Sequence, residues 1–465
     1  MFGMRSWRMT TFTSLALDPS LLSALDALEY TEMTPVQALS LPPILEKRDV
    51  IAQAPTGSGK TAAFGLGLIA RLDTAVASVQ GIVLCPTREL ADQVSKEIRR
   101  LASFVPNVKL LTLCGGIPLR PQLASLAHPP HIVVGTPGRI QELIDQGALS
   151  LAAVRVFVLD EVDRMLDMGF QDAITSLLKQ SPKSRQTLLF SATIPDEIRT
   201  ISRSLQRDPV AVATDAGAEL PGIEQQFFEV DGSRRFDALL RLLSTHRPES
   251  TLIFCNMRRD TQDLADGLAQ RGFSALALHG DLEQRDRDEV LMRFANRSCA
   301  ILVATDVAAR GLDIEDLPAV VNWEISTDPD VHVHRIGRTG RAGRKGQAWS
   351  LVAAAEMPRI AAIESRIGEK IGWSNLPSMS DAGKPITATM STLCIDGGRQ
   401  EKVRPGDILG ALTGDAGIAG EAVGKIGIFA TRSYVAIRRD QASTALKRLR
   451  EGKIKGRKFR VRAID

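Results

Sequence analysis

The 465-residue chain has little of several things that mark specialised protein classes. Its five cysteines, Cys85, Cys114, Cys255, Cys299 and Cys394, are an odd number, with no CxxC pair and no histidine close by. That excludes a disulfide scaffold and a cysteine–histidine zinc site, and it fits reduced, buried thiols in a cytosolic compartment. Long apolar runs are also missing. The longest, Ala62–Ala70, contains two glycines and is about half of the roughly 20 residues a membrane span needs, so no membrane association is expected. Arg5 and Arg8 are followed by no apolar run, so no secretory signal is expected, and Met1, Met4 and Met9 all stay open as the start. With 44% hydrophobic and 24% charged residues the composition is globular, excluding collagen-like and disordered chains. At roughly 150 residues per domain, the length suggests about three domains.

The net charge of +4 hides an asymmetry. Residues 390–465 hold 16 Lys/Arg against 8 Asp/Glu, which leaves 42 against 46 in residues 1–389. A body of net −4 carries a tail region of net +8, as an appended module for a polyanion would.

Between residues 48 and 193 short β-branched and apolar runs alternate with polar or Gly-rich turns and helical stretches: Asp49–Ala54, Gly81–Cys85, Leu110–Cys114, Ile132–Val134, Val156–Leu159 and Thr187–Phe190. Runs apolar at nearly every position suit strands buried on both faces, hence parallel sheets covered by helices. The pattern recurs at Thr251–Cys255, Ala275–Leu278, Ala300–Ala304, Ala319–Val321 and Ala348–Val352. The expected fold is therefore α/β: two tandem parallel-sheet domains over residues 1–215 and 216–377, joined near Asp215–Gly222. A Ser/Gly/Asp/Pro-rich linker over 378–388 leads to a small α+β domain over 389–465. In that domain strands are expected near Thr392–Ile395, Gly424–Ile428, Ser433–Arg438 and Lys458–Arg462, with helices near Asp407–Thr413 and Ala442–Arg450.

Polar clusters follow the apolar runs, where open α/β sheets bind ligands. Ala54-Pro55-Thr56-Gly57-Ser58-Gly59-Lys60-Thr61 matches a P-loop with Ala54 in place of the first glycine. Small residues let backbone N–H groups approach phosphate, Lys60 suits the β/γ-phosphates, and the Thr61 hydroxyl suits Mg²⁺. Asp160-Glu161-Val162-Asp163 ends another apolar run, placing Asp160 to hold Mg²⁺ and Glu161 to orient and deprotonate water. Acidic residues opening a helix also serve as caps; the P-loop earlier in the chain favours the metal reading. In His334-Arg335-Ile336-Gly337-Arg338-Thr339-Gly340-Arg341 the arginines suit either a solvated face or fingers on a charge-spreading transition state.

Together these elements resemble the DEAD-box RNA helicases over about residues 10–375. Phe12 and Thr34-Pro35-Val36-Gln37 are similar to the Q motif; Pro86-Thr87-Arg88-Glu89-Leu90, Gly115-Gly116 and Thr136-Pro137-Gly138-Arg139 to RNA-backbone motifs. Ser191-Ala192-Thr193 is similar to the element coupling hydrolysis to strand separation. Gln284, Arg287, Ala304-Thr305-Asp306, Arg310-Gly311-Leu312-Asp313 and His334–Arg341 match the remaining motifs in order. The resemblance implies two RecA-like domains and an RNA-dependent ATPase using ATP and Mg²⁺. It places ATP on Phe12, Gln37, Ala54, Thr56, Gly57, Ser58, Gly59, Lys60, Thr61 and Asp313, and the metal on Thr61 and Asp160. It assigns catalysis to Lys60, Asp160 and Glu161 with fingers Arg338 and Arg341, and coupling to Asp163, Ser191 and Thr193. It makes Arg88, Gly116, Thr136, Arg139, Arg287 and Thr305 RNA contacts. Two departures stand out: Val162 in the acidic motif, and Glu29 where the family has Gly before the aromatic Tyr30. Val for Ala at a buried, non-ligating position is expected to leave activity intact. A DNA helicase and a non-catalytic RNA-binding scaffold are the rival readings.

Thr392-Leu393-Cys394-Ile395-Asp396-Gly397-Gly398, Arg404–Gly414 and Lys453-Ile454-Lys455-Gly456-Arg457-Lys458 resemble the RNA-binding domain of the DbpA branch of that family, similar to an RNA-recognition-motif fold. This implies a cytoplasmic, monomeric helicase directed to a hairpin of large-subunit (23S) ribosomal RNA, or its precursor, during ribosome assembly. Sheet readers of RNA stack bases on aromatics. Here the two central strands offer little beyond Phe429 and Tyr434, whereas residues 447–462 carry nine basic side chains against the single acid Glu451. A charged edge gripping phosphates is expected, with Lys447, Arg448, Lys453, Lys455, Arg457 and Lys458 as contacts; a solvating charge run is the alternative.

Overall fold

The computed structural model describes residues 11–55, 57–214, 222–309, 317–340, 345–378, 384–414 and 417–464. Thr56, Asp313 and Arg341, the start positions Met1, Met4 and Met9, most of the 215–222 joint and part of the 378–388 linker lie outside these residues. The chain forms two compact units, one N-terminal, the other holding everything described from residue 222 onward.

The first unit is a seven-stranded sheet, with strands β1 (Val50–Gln53), β2 (Gly81–Leu84), β3 (Leu110–Leu113), β4 (Ile132–Gly135), β5 (Val156–Asp160), β6 (Gln186–Ser191) and β7 (Val210–Ala213). Their order is β3-β4-β2-β5-β6-β1-β7, and every pairing is parallel. The apolar runs fold this way because both faces are buried: Val83, Val134, Val158 and Phe190 enter one core, and Ile82, Val133, Phe157 and Leu189 the other. Val162 lies fully buried in the second core, as an apolar substitute at a non-ligating position should. The order also sets β6 between β1 and β5, so the segments following these three strands emerge side by side.

The second unit begins with a six-stranded parallel sheet of β8 (Ile223–Glu229), β9 (Thr251–Cys255), β10 (Ala275–Leu278), β11 (Ile301–Thr305), β12 (Ala319–Asn322) and β13 (Gly346–Val352), ordered β10-β11-β9-β12-β13-β8. Strands β7 and β8 were not expected from the sequence. Both are edge strands, only partly buried; β8 is interrupted by Glu224, Gln225 and Gln226, and β7 is a four-residue run of Val and Ala.

The same unit ends in an antiparallel sheet of β14 (Met390–Ile395), β15 (Val423–Ile428), β16 (Ser433–Arg438) and β17 (Val461–Ala463), ordered β15-β16-β14-β17. The last strand starts at Val461 rather than Lys458. Lys455 and Gly456 adopt positive φ (51° and 77°), and reciprocal Ile454–Arg457 backbone bonds close a tight turn just before Lys458; the Arg460 carbonyl still accepts from Asp396 N at 2.9 Å. One sheet face, with Leu393, Ile395, Val435 and Ile437, packs on Ile408, Leu412, Ala445 and Leu449 of the helices Pro405–Thr413 and Ala442–Glu451. The opposite face is covered as well. Cys394, Tyr434 and Ile464 cluster with Met292 of the helix Gln284–Ala295, which belongs to the preceding parallel-sheet domain. Around them Ser298 Oγ lies 2.6 Å from Thr392 Oγ1, Asn296 Nδ2 donates to the same oxygen at 3.3 Å, and Arg462 pairs with Glu289 at 3.9 Å. A Cβ at Gly427 would lie 2.7 Å from Met292 Cε, so glycine permits the close approach.

Glu29 follows the helix Pro19–Ala27 in the left-handed region at φ 59°, the conformation for which glycine is suited. Its side chain is exposed, so nothing in the core offsets the backbone cost of roughly 1–2 kcal/mol. Glu29→Gly is expected to raise stability by about 0.5–1 kcal/mol after the greater unfolded-state entropy of glycine is deducted. A higher denaturant midpoint with unchanged slope is the expected reading; a lower midpoint contradicts it.

Candidate functional site

The P-loop leaves β1 and turns into the helix Lys60–Ile69. Gly57 and Gly59 both have positive φ (80° and 91°), and a Cβ on Gly59 would lie 2.5 Å from the Gln37 amide nitrogen, so position 59 requires glycine twice over. Gln37 is buried, accepts from the Thr34 N–H at 2.9 Å and donates to the Gly59 carbonyl at 3.1 Å, tying the Q-motif segment to the loop. Phe12 is buried with its ring edge-on to Tyr30 at 6.3 Å. Ala54 is fully buried. Ser58 Oγ donates to the Pro55 carbonyl, and the buried Lys60 donates to the Ala54 carbonyl at 2.9 Å, so the loop's own backbone takes one of the ammonium's three donors. Thr61 is the second residue of that helix.

Two strands away, β5 ends on Asp160; with about 4.8 Å between neighbouring strands, the ends of β1 and β5 stand about 10 Å apart. Asp160 is 3% exposed and its Oδ1 has no hydrogen-bond partner. Burial pushes its carboxyl up to about 7, the Lys60 ammonium opposing and the Glu161 charge reinforcing the shift. Glu161 takes a left-handed backbone (φ 55°, ψ 55°) and its Oε2 receives Arg164 Nη1 at 2.8 Å, with both side chains under a tenth exposed. Removing one partner from such a buried pair costs about 3–5 kcal/mol, against about 0–1 for an exposed one, so burial decides the importance of this contact. Asp163 faces the other way: Thr193 N and Oγ1 both donate to its Oδ2 at 3.1 Å, and its own N–H donates to Ser191 Oγ at 3.3 Å. The acidic turn is thus bonded to the segment after β6.

On the same unit, Gly115 N donates to Thr136 Oγ1 at 3.3 Å, Gly116 has φ 71°, and Arg139 joins Glu142 at 2.8 Å and the Ile117 carbonyl at 3.1 Å. Thr136, Gly116 and Arg139 therefore meet at one place; Arg139 Nη1 is buried without a partner. Arg88 opens the helix Arg88–Leu101, which Thr87 caps. In the second unit, Arg287 Nη2 donates to the Ala308 carbonyl at 2.9 Å while Thr305 Oγ1 accepts from Ala308 N, so Arg287 and Thr305 converge on one residue. Arg338 is buried just after the helix Pro329–Ile336. In the last domain Lys447, Lys453, Arg457 and Lys458 are exposed and Arg448 is half-buried. Lys455 is exposed but donates to the Lys402 carbonyl and lies 3.9 Å from Asp407.

The DEAD/DEAH box helicase family matches residues 34–201, the helicase conserved C-terminal domain residues 234–343, and the DbpA RNA binding domain residues 392–463. ATP-dependent RNA helicase DbpA of Escherichia coli (strain K12) is 54% identical over 98% of this chain and 100% of its own length. The chain belongs to the DEAD-box ATP-dependent RNA helicases, in their DbpA branch. DEAD-box ATP-dependent RNA helicase CshA of Bacillus cereus (strain ATCC 10987 / NRS 248) is 44% identical over 80% of this chain and 71% of its own. Among solved structures, S. cerevisiae Dbp5 bound to RNA and ADP BeF3 aligns with TM-score 0.70 and 30% identity over 79% of this chain and 95% of that one.

This DEAD-box helicase is thus an RNA-acting ATP hydrolase. Two of its arginines have roles the sequence reading did not give them; Arg335, read there as part of a solvated face or as a finger, is neither exposed nor free to act as one. Arg335 is 1% exposed, grips Asp306 through two bonds of 2.7 Å, reaches Asn256 and the Glu324 carbonyl, and lies over Phe254. As one of three arginines in a motif, it carried no sequence signal separating a structural role from a finger. Arg164 is the other; its i,i+3 spacing to Glu161 on a helix start was the available signal. The upward shift of Asp160 has a consequence for stability. The unfolded carboxyl ionises near pH 4 and the folded one only near 7, so the charge destabilises the nucleotide-free fold increasingly over that window and by a constant amount above it. Asp160→Asn is expected to stabilise the nucleotide-free, metal-free helicase by on the order of 1–3 kcal/mol at pH 8, and by little at pH 4. Melting midpoints across that pH range check it; a gain independent of pH contradicts it.

Proposed function

We propose that this helicase couples RNA-stimulated ATP hydrolysis to local strand separation, and that its C-terminal domain directs it to large-subunit (23S) ribosomal RNA during ribosome assembly. The division of labour follows residues 1–215 and 216–377 as the motor and 389–465 as the targeting module. Gln37 and Phe12 receive the adenine, Ala54 through Thr61 the phosphates, and Asp313 the ribose side. Asp160 and Thr61 fit Mg²⁺: a buried carboxylate oxygen without a partner, near the P-loop lysine, suits an ion that takes few protein ligands and completes its shell with water and phosphate. When bound, Mg²⁺ offsets the phosphate charge. Glu161 orients and deprotonates the attacking water, and Arg338 and Arg341 stabilise the charge that develops on the transferred group. Arg88, Gly116, Thr136 and Arg139 hold the RNA backbone on one unit, Arg287 and Thr305 on the other. Asp163, bonded to Ser191 and Thr193, links the nucleotide turn to that grip. In this cycle ATP and RNA each favour the other's bound state.

The observation supporting the targeting role is the position of the charge. The sheet face that stacks bases in other modules of this fold is here covered by Met292, Asn296 and Ser298, while Lys453, Arg457 and Lys458 stand exposed around the tight turn. A folded RNA gripped by its phosphates suits that edge. The helicase acts as a cytoplasmic monomer without a membrane; no helix among the described residues is long and apolar enough to cross one.

Glu161→Gln is expected to keep nucleotide and RNA affinity while turnover falls by about 100-fold or more; near-normal turnover contradicts its assigned role. Replacing Lys453, Arg457 and Lys458 together by Ala is expected to leave maximal ATPase on saturating non-ribosomal RNA unchanged and to abolish the preference for a 23S fragment. It should flatten the dependence of log affinity on log salt by about 2 on single-stranded RNA. Retained preference for the fragment, measured by phosphate release over an RNA panel, contradicts the targeting role.

A further inference from the structure

Of the groups in the acidic turn, Glu161 alone carries its functional carboxylate on a left-handed, non-glycine residue, with φ 55° and ψ 55°. Such a backbone persists only where its surroundings over-determine it. The turn is braced on one side by Asp163, which accepts twice from Thr193 and also accepts from the Arg164 N–H at 3.0 Å. On the other side, the carboxylate itself is held by the Arg164 guanidinium, 2.8 Å away on Oε2. The arginine is 6% exposed and Glu161 4%, so solvent neither screens this pair nor competes for it.

A guanidinium stays protonated under all physiological conditions and offers only donors. It cannot take a proton from water, and its side chain is bonded to Glu161 Oε2, so the role the geometry supports for it passes through Glu161. The bond engages Oε2 and restrains rotation of the group; accepting from a cation makes Oε2 the less basic oxygen, which leaves Oε1 the better acceptor of a proton from water. We propose that Arg164 is a positioning residue for ATP hydrolysis, holding Glu161 by Oε2 so that Oε1 presents to the attacking water. The inference rests on Glu161 being the water-activating group. It differs in kind from the roles given to Arg338 and Arg341, because Arg164 stands on the same turn as the carboxylate it serves and acts before any second unit is engaged.

The test is a double-mutant cycle in the full-length helicase, with turnover, equilibrium nucleotide affinity and RNA affinity measured for Arg164→Gln, Arg164→Lys, Glu161→Gln and the double variant Glu161→Gln/Arg164→Gln. Misplacing a general base by about an ångström costs up to about 100-fold, so Arg164→Gln is expected to lower kcat by about 10- to 100-fold. KM for ATP, nucleotide affinity and RNA affinity should stay within about twofold, since a lost interaction confined to the chemical step lowers kcat and kcat/KM together. Arg164→Lys, which keeps the charge and can reach one oxygen, should recover part of the loss; it also carries the test if Arg164→Gln fails to fold. In the Glu161→Gln background Arg164→Gln should change residual turnover by less than about threefold, because two residues acting through one group are non-additive. The proposal is overturned if Arg164→Gln retains kcat within about threefold, if its loss is as large in the Glu161→Gln background, or if the loss appears in nucleotide affinity instead of kcat. Near-normal turnover of Glu161→Gln alone would instead overturn the water-activating role on which the inference rests.

Discussion

Everything in the first unit depends on one constraint: charged groups have to be buried together at the carboxyl ends of three neighbouring strands. With β6 between β1 and β5, the P-loop, the Ser191-Ala192-Thr193 segment and the acidic turn leave the sheet side by side. No single strand brings both a lysine and two carboxylates into a dry place; the strand order does. Lys60 and Asp160 then oppose each other's desolvation, Glu161 leans on Arg164, and Asp163 bonds to Thr193. A nucleotide entering this site meets a turn already bonded to the next strand's exit, and a change at the phosphates therefore has a physical route toward Thr193.

The second unit adds a different kind of constraint. The helix Gln284–Ala295 carries Arg287, whose guanidinium reaches Ala308 beside Thr305, and also Met292, which sits on the small antiparallel sheet. One helix thus joins the motor's second half to the RNA module, and glycine at position 427 permits the contact. Covering the sheet removes the surface on which unstacked bases would lie. What remains is a basic edge, suited to the shape and charge of a folded RNA rather than to its bases.

The parallel sheets were legible in the sequence because interior strands are apolar at almost every position, and the boundaries from Thr251 to Cys255 and from Ser433 to Arg438 agree to the residue. The P-loop and the acidic turn stood out for the same reason, since each follows such a run, whereas Phe12 and Gln37 precede the first strand and Arg338 follows a helix. The edge strand β8 was not, because its polar residues break the apolar run, and β7 was not, because its apolar run is only four small residues long and half of it is exposed. The later start of β17 follows a turn in which Lys455 takes a positive φ, a conformation its residue type does not announce. The left-handed Glu29 was visible only as a departure from a family's glycine; its backbone explains why glycine suits that place. Arg164 was missed and Arg335 was read as a solvated face or a finger because their importance lies in burial, and an arginine that is 1% exposed looks in a sequence like any other.

Under the proposed function, nucleotide and RNA each tighten the other's binding to this chain. The most direct test is a closed thermodynamic box on the Glu161→Gln full-length protein: ATP affinity with and without saturating RNA, and RNA affinity with and without saturating ATP. Linkage predicts that the two ratios agree, at about 5- to 150-fold tightening each. Affinities for either ligand that ignore the other would contradict the account.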